Sequence, residues 1–94
     1  MAGLQLHIAV AKGDTDIVNI LANKGADLNT KDTSGATPLY NAAYKGRTNI
    51  VNILVSKGAD LNVKNKIGWT PLHIAVSKGN ADIVDILIGK GARM

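Results

Sequence analysis

Two histidines, His7 and His73, are the side chains best suited to hold a metal or move a proton. A zinc site draws on Cys, His and carboxylate ligands, yet the chain has no cysteine and no glutamate, and aspartate supplies every acidic group. The two histidines occupy the same slot in the first and third units of an internal repeat, so a whole unit separates them and a shared metal is not expected. Nucleophilic catalysis needs a nucleophile, a base and an orienting group converging in one pocket. Ser34, Ser56 and Ser77 have no base at a plausible approach: His73 is the only candidate near Ser77, and it is a residue of the repeat's own framework. The glycines do not follow a strand in a phosphate-cradling pattern. The sequence therefore predicts no catalytic, cofactor-binding or metal-binding residue, and no enzyme.

Binding chemistry is better represented. Trp69 is the sole tryptophan and Tyr44 one of two tyrosines, and aromatic side chains are enriched in binding hot spots. Trp69 fits two roles, a contact residue or a ring packed on its neighbouring loop, since tryptophan serves both ends. Lys45, Lys66 and Lys78, extended by Lys12 and Lys31, form a basic band that would speed association with an acidic partner; the same lysines also fit a simple solvated surface.

Composition narrows the classes. With 94 residues and a net charge of +4, the chain is short and mildly basic. Nucleic-acid binders usually concentrate Lys and Arg on one face or in a run, and these are scattered. No stretch approaches the roughly 20 apolar residues of a membrane span. The segment from Met1 to Lys12 lacks the basic flank and small-residue cleavage site of a signal peptide. The absence of cysteine fits a reducing, cytoplasmic setting.

These residues must be positioned by a repeat. Aligning Thr37-Pro38-Leu39 with Thr70-Pro71-Leu72 puts Lys45-Gly46 on Lys78-Gly79, Ile50-Val51 on Ile83-Val84, and Lys57-Gly58-Ala59 on Lys90-Gly91-Ala92. One step back, Lys12-Gly13, Ile17-Val18, Ile20-Leu21 and Lys24-Gly25-Ala26 fill the same slots. The period is about 33 residues. The units run from about 4 to 36, 37 to 69 and 70 to 94, the last truncated, within one domain covering 1–94. Thr37 and Thr70 suit an N-cap and Pro38 and Pro71 the first helical position. Gly46 and Gly79 suit a helix end. A second helix carries the stripe Ile50, Val51, Ile53, Leu54 and Val55, and Asp60-Leu61-Asn62, Asn65 and Gly68 supply turn chemistry before the next Thr-Pro. A single short helix pair cannot bury its own stripe, so the units stack, and three are about the minimum for stability.

Thr70-Pro71-Leu72-His73, followed by Ala75, Gly79 and Gly91-Ala92, resembles the ankyrin repeat, as do Thr37-Pro38-Leu39-Tyr40 and Gly58-Ala59-Asp60-Leu61-Asn62. The resemblance implies an all-α solenoid of helix-turn-helix pairs joined by β-hairpin-like loops. It implies a protein-binding module, with no cofactor, that contacts its partner through hairpin tips and the concave face of the inner helices. Carried onto this chain, the partner-binding positions are Lys31, Thr33, Ser34, Ala36, Lys66, Ile67 and Trp69 at the hairpins, and Tyr44, Lys45, Ser77 and Lys78 on the inner face. In the family the histidine of this motif is a structural residue joining adjacent loops. Replacing Tyr44 and Trp69 together is expected to abolish binding without unfolding.

The chain departs from the pattern at Leu4-Gln5-Leu6, where Thr-Pro-Leu is the family form, and at Tyr40 and Asn41. Its end repeats lack an evident polar cap, which leaves the chain a monomer or weakly self-associating through those ends. Two further functions stay open at this point. One is an excised or engineered scaffold without its own target. The other is weak nucleic-acid association through the scattered lysines, recognisable by a steep salt dependence.

Overall fold

Short capped helices build the molecule, and their capping residues mark where each begins. The computed structural model describes residues 2–94, with helices α1 (Ala2–Lys12), α2 (Thr15–Asn23), α3 (Pro38–Tyr44), α4 (Thr48–Ser56), α5 (Pro71–Ser77) and α6 (Ala81–Gly89). Thr37 and Thr70 cap α3 and α5, each hydroxyl accepting the backbone N–H three residues on, with proline at the first helical position. At Thr70 the cap is reciprocal, because His73 Nδ1 accepts the Thr70 amide at 3.1 Å. Tyr40 replaces that histidine in the middle repeat, so Thr37 caps α3 from one side only. Without Thr-Pro to start it, α1 begins earlier in its repeat and runs for 11 residues, against 7 for α3 and α5.

Asp14 and Asn80 cap α2 and α6 by accepting the amides of Ile17 and Ile83. The equivalent residue before α4, Arg47, makes no side-chain cap. Its guanidinium instead reaches back one repeat and donates from Nη2 to the Ala11 carbonyl at 3.0 Å. Arg47 thus gives up a local cap and ties the middle repeat to the open end of α1. A lysine stands at the C-terminus of each described helix, Lys12 as the last residue of α1 and Lys24, Lys45, Lys57, Lys78 and Lys90 as the C-cap residues of α2 to α6. Cations there complement the partial negative charge of the helix C-terminus, which accounts for the regular spacing of the lysines without any ligand.

Packing follows the repeat. Each inner helix pairs with the outer helix that follows it, α3 lies between α1 and α5, and α4 lies between α2 and α6. Leu6, Leu39 and Leu72 fill one slot of the core, and Leu54 and Leu87 another. Among the described residues no strand forms. The loops between helix pairs are turns, closed by Asp32 N–H to Ala36 O at 2.9 Å and by Asn65 N–H to Trp69 O at 2.9 Å. Consecutive loops are stitched together: Lys66 N–H donates to Ser34 O at 3.0 Å, Asp60 N–H to Asn29 Oδ1 at 2.9 Å, and Arg93 N–H to Asn62 Oδ1 at 2.8 Å. Asp27 and Asp60 order these loops locally, each accepting the amide two residues on.

Candidate functional surface

The last turns of α3 and α5 lie side by side, which brings Tyr44 against the following repeat. Tyr44 is 52% exposed. The Lys78 ammonium sits 4.3 Å from the centre of its ring, within the range of a cation–π contact. Lys45 and Ser77, the neighbours of this pair in sequence, are exposed. Tyr44, Lys45, Ser77 and Lys78 therefore open to solvent at the ends of two packed helices, and Tyr44 and Lys78 touch.

The hairpin residues divide. Lys31, Thr33, Ser34 and Lys66 are exposed, with Ser34 and Lys66 joined through their backbones. Ile67 is 72% exposed, an apolar side chain projecting from the second turn. Ala36 departs from the expectation that it faces a partner: it is 1% exposed and belongs to the core. Its place at the base of the turn puts the methyl group against the helices. Trp69, in the same slot one repeat on, is half-buried, packs against the core and stacks on the His73 ring with centroids 5.7 Å apart.

A polar network lies at the junction of the first two repeats. His7 Nε2 is 3.0 Å from the Thr30 carbonyl, and His7 Nδ1 is 3.2 Å from Asn41 Nδ2, which also donates to Asp32 Oδ2 at 3.1 Å. A histidine that donates from Nε2 and accepts at Nδ1 satisfies both contacts. The Asp32 Oδ1 atom meanwhile accepts from the Ser34 amide, the Ser34 hydroxyl and the Ala36 amide. Burial alone would push the Asp32 carboxyl pKa up; the hydrogen bonds from Ser34, Asn41 and the Ala36 and Ser34 amides outweigh it and hold the pKa below its ordinary value of 3.8. Asn65 takes the equivalent turn position in the next hairpin, where its Oδ1 accepts from Ile67 and Trp69.

A carboxyl with a lowered pKa stabilises the folded state above its unfolded pKa, and that contribution is lost as pH falls through the folded value. Asp32→Asn keeps the turn acceptor and removes the charge. Urea midpoints of the wild type are therefore expected to fall faster than those of Asp32→Asn between about pH 5 and 2; parallel profiles would contradict the assignment.

The Tyr40 side chain packs into the core, and desolvation raises its pKa above 10.0, partly opposed by the Asn65 side chain. Among the described residues, no group of three or more His, Cys, Asp or Glu side chains comes together to hold a metal ion, and no helix is long and apolar enough to cross a membrane.

Three stacked helix pairs, the second and third opened by Thr-Pro and all stitched loop to loop, decide the family, and the family described as ankyrin repeats in three copies matches residues 6–94. The chain belongs to the ankyrin-repeat family. Ankyrin repeats are generally protein–protein interaction modules. Protein phosphatase 1 regulatory subunit 12A of Mus musculus is similar, 49% identical over 41 residues, which are 44% of this chain and 4% of that protein. Its counterpart from Rattus norvegicus gives the same values. The ankyrin repeat-containing protein P1E11.10 of Schizosaccharomyces pombe is 43% identical over 35 residues, 37% of this chain and 17% of that protein. The ankyrin repeats here thus match only a small part of each relative's length.

Arg47, and Asn41 beyond its departure from the repeat pattern, are structural residues whose roles sequence reasoning missed. Both make their bonds to the preceding repeat, with partners 34 and 36 residues away. The available signal was their departure from the repeat: each is polar or charged where the neighbouring units carry an apolar or capping residue, Ile8 and Ile74 for Asn41, Asp14 and Asn80 for Arg47.

Proposed function

We propose that this ankyrin domain is a non-enzymatic binding module that takes an acidic or mixed protein surface across the ends of α3 and α5, using Tyr44, Lys45, Ser77 and Lys78. The adjoining hairpin tips Lys31, Thr33, Ser34, Lys66 and Ile67 extend the contact. The observation that carries this reading is the exposed Tyr44 ring with the Lys78 ammonium over it at 4.3 Å. A rigid aromatic adds contact area with little side-chain entropy to lose, and the ammonium held beside it favours a partner carboxylate. Trp69 contributes from beneath, by holding the base of the second hairpin on His73. The relatives support association as the mode of action, since one is by name a regulatory subunit. Ala36 is left out of the surface because it is buried.

Because Trp69 packs on the core, the informative variant is Tyr44→Ala with Lys78→Ala, not one that removes the tryptophan. Wild type and this double variant serve as parallel baits in a lysate pull-down, with circular dichroism to show that both fold. A hot spot of about 2 kcal/mol implies roughly 30-fold weaker binding in the variant. Equal capture of the same protein by both baits would remove the site.

A further inference from the structure

The inner and outer layers of the stack differ in charge. The inner helices α1, α3 and α5 contain no acidic residue, and an exposed lysine stands at the end of each: Lys12, Lys45 and Lys78. The outer helices carry exposed lysines at their ends too, Lys24, Lys57 and Lys90, but these are set against Asp14, Asp16, Asp82 and Asp85. Helix-terminus electrostatics explain a cation at every helix end, inner and outer alike. They do not explain why the helix carboxylates keep to one layer. On the hairpin side Lys31, Lys64 and Lys66 are exposed, whereas the neighbouring carboxylate, Asp32, has both oxygens taken up by hydrogen bonds. Asp27 and Asp60 are likewise folded onto their own turns.

The lysines of the inner layer form a row. They share one repeat position, and α3 packs between α1 and α5, so successive positions stand one interaxial distance apart, roughly 8–10 Å. A polyproline II chain advances about 3.1 Å per residue and returns every third side chain to the same face, a step of about 9.3 Å. Three residues of such a chain therefore span one repeat of this protein. Within the row the exposed Tyr44 ring offers apolar area to the residues in between.

We propose that the ends of the inner helices take an extended acidic peptide segment, which runs across α5, α3 and α1 with a carboxylate at every third residue. The inference rests on the binding surface proposed above and specifies the form of its partner. Each carboxylate meets one of Lys12, Lys45 and Lys78, and no inner-helix carboxylate opposes it. A nucleic-acid strand fits this surface less well. Phosphates favour the arginine fork, and the inner helices hold no arginine. Bases need aromatic faces on which to stack, and here Tyr44 carries the Lys78 ammonium while Trp69 stacks on His73.

Fluorescence anisotropy at low salt, where surface charges are least screened, tests this with labelled synthetic nonapeptides. One repeats Glu-Pro-Pro; a second has the same composition with its glutamates adjacent; a third carries glutamine for glutamate. The protein is used as wild type and as two triple variants of equal net charge, with circular dichroism checking each fold. The inner-layer variant combines Lys12→Gln, Lys45→Gln and Lys78→Gln, and the outer-layer variant combines Lys24→Gln, Lys57→Gln and Lys90→Gln. The spaced peptide is expected to bind wild type and the outer-layer variant alike. It should bind the inner-layer variant roughly tenfold or more weakly, each exposed pair contributing up to about fivefold. The adjacent-glutamate peptide is expected to bind wild type less tightly than the spaced one, and the glutamine peptide not to bind. Equal losses in the two triple variants would overturn the proposal, since net charge alone would then account for binding. Equal affinity for the spaced and adjacent peptides would overturn it too, as would an oligothymidylate that binds more tightly than either. Failure of every peptide to bind would also overturn it. A lysate protein still captured through Tyr44 and Lys78 would in that case keep the docking surface and make its partner a folded one, which separates this failure from failure of the surface itself.

Discussion

Leu54→Ala is expected to bring the domain close to unfolding at room temperature. Leu54 is fully buried in α4, the outer helix that packs on both α2 and α6. Truncating a buried leucine costs about 2–5 kcal/mol, the transfer of the lost methyl groups plus the cavity left behind. A domain of this length holds on the order of 5–15 kcal/mol in all, so one side chain removes a large fraction. The middle repeat matters most because stability in a stack is a sum of repeat and nearest-neighbour terms, and this repeat packs on a described neighbour at each side. Leu21 fills the same slot in the first repeat and is half-exposed; Leu21→Ala should cost roughly 1 kcal/mol, the smaller burial reducing the transfer share. Urea denaturation followed by circular dichroism measures both. Equal losses would mean that the middle repeat does not hold the two ends together.

Gly35→Ala should be the most damaging loop substitution. Gly35 has φ of 78°, and a Cβ there would lie 3.1 Å from the Lys66 amide nitrogen and 3.4 Å from Asn65 Cα. Those atoms are backbone, held in place by the hydrogen bond from Lys66 N–H to Ser34 O. The left-handed conformation alone costs an alanine roughly 1–2 kcal/mol, and crowding a fixed backbone adds about 1 kcal/mol or more. Gly68 is the internal control: it occupies the same turn position with φ of 84°, and a Cβ there would meet nothing within 4 Å. Gly68→Ala should therefore show the conformational share alone. The difference between the two midpoints reports how tightly one hairpin stacks on the next. Identical midpoints would show that the second loop yields freely.

Much of this architecture can be read from residue order. Thr37-Pro38 and Thr70-Pro71 announce helix starts, the Lys-Gly pairs announce helix ends, and the spacing of Ile50, Val51 and Leu54 gives the buried stripe. These are local signals, set by capping and periodicity. Contacts that cross between repeats are not legible in the same way. Arg47 forgoes a cap to reach Ala11, and Asn41 bridges His7 and Asp32, because the preceding repeat brings those partners close. Ala36 illustrates the same limit at the surface. Its neighbours Thr33 and Ser34 are exposed, and the turn between Asp32 and Ala36 folds it inward, a reversal fixed by backbone geometry. For Tyr44 and Lys78 the repeat shows that they sit on adjacent inner helices, while the side-chain packing at the ends of α3 and α5 sets one over the other.

The central claim, that partners dock across the ends of the inner helices, is tested most directly by mapping a captured partner on the folded domain. Amide chemical shifts of the isotopically labelled protein would be followed as unlabelled partner is added. The account predicts that perturbations concentrate at Tyr44, Lys45, Ser77 and Lys78 and at the hairpin residues Thr33, Ser34, Lys66 and Ile67. Perturbations confined to the solvent side of α2, α4 and α6, around Asn19, Asn52 and Asp85, would contradict it.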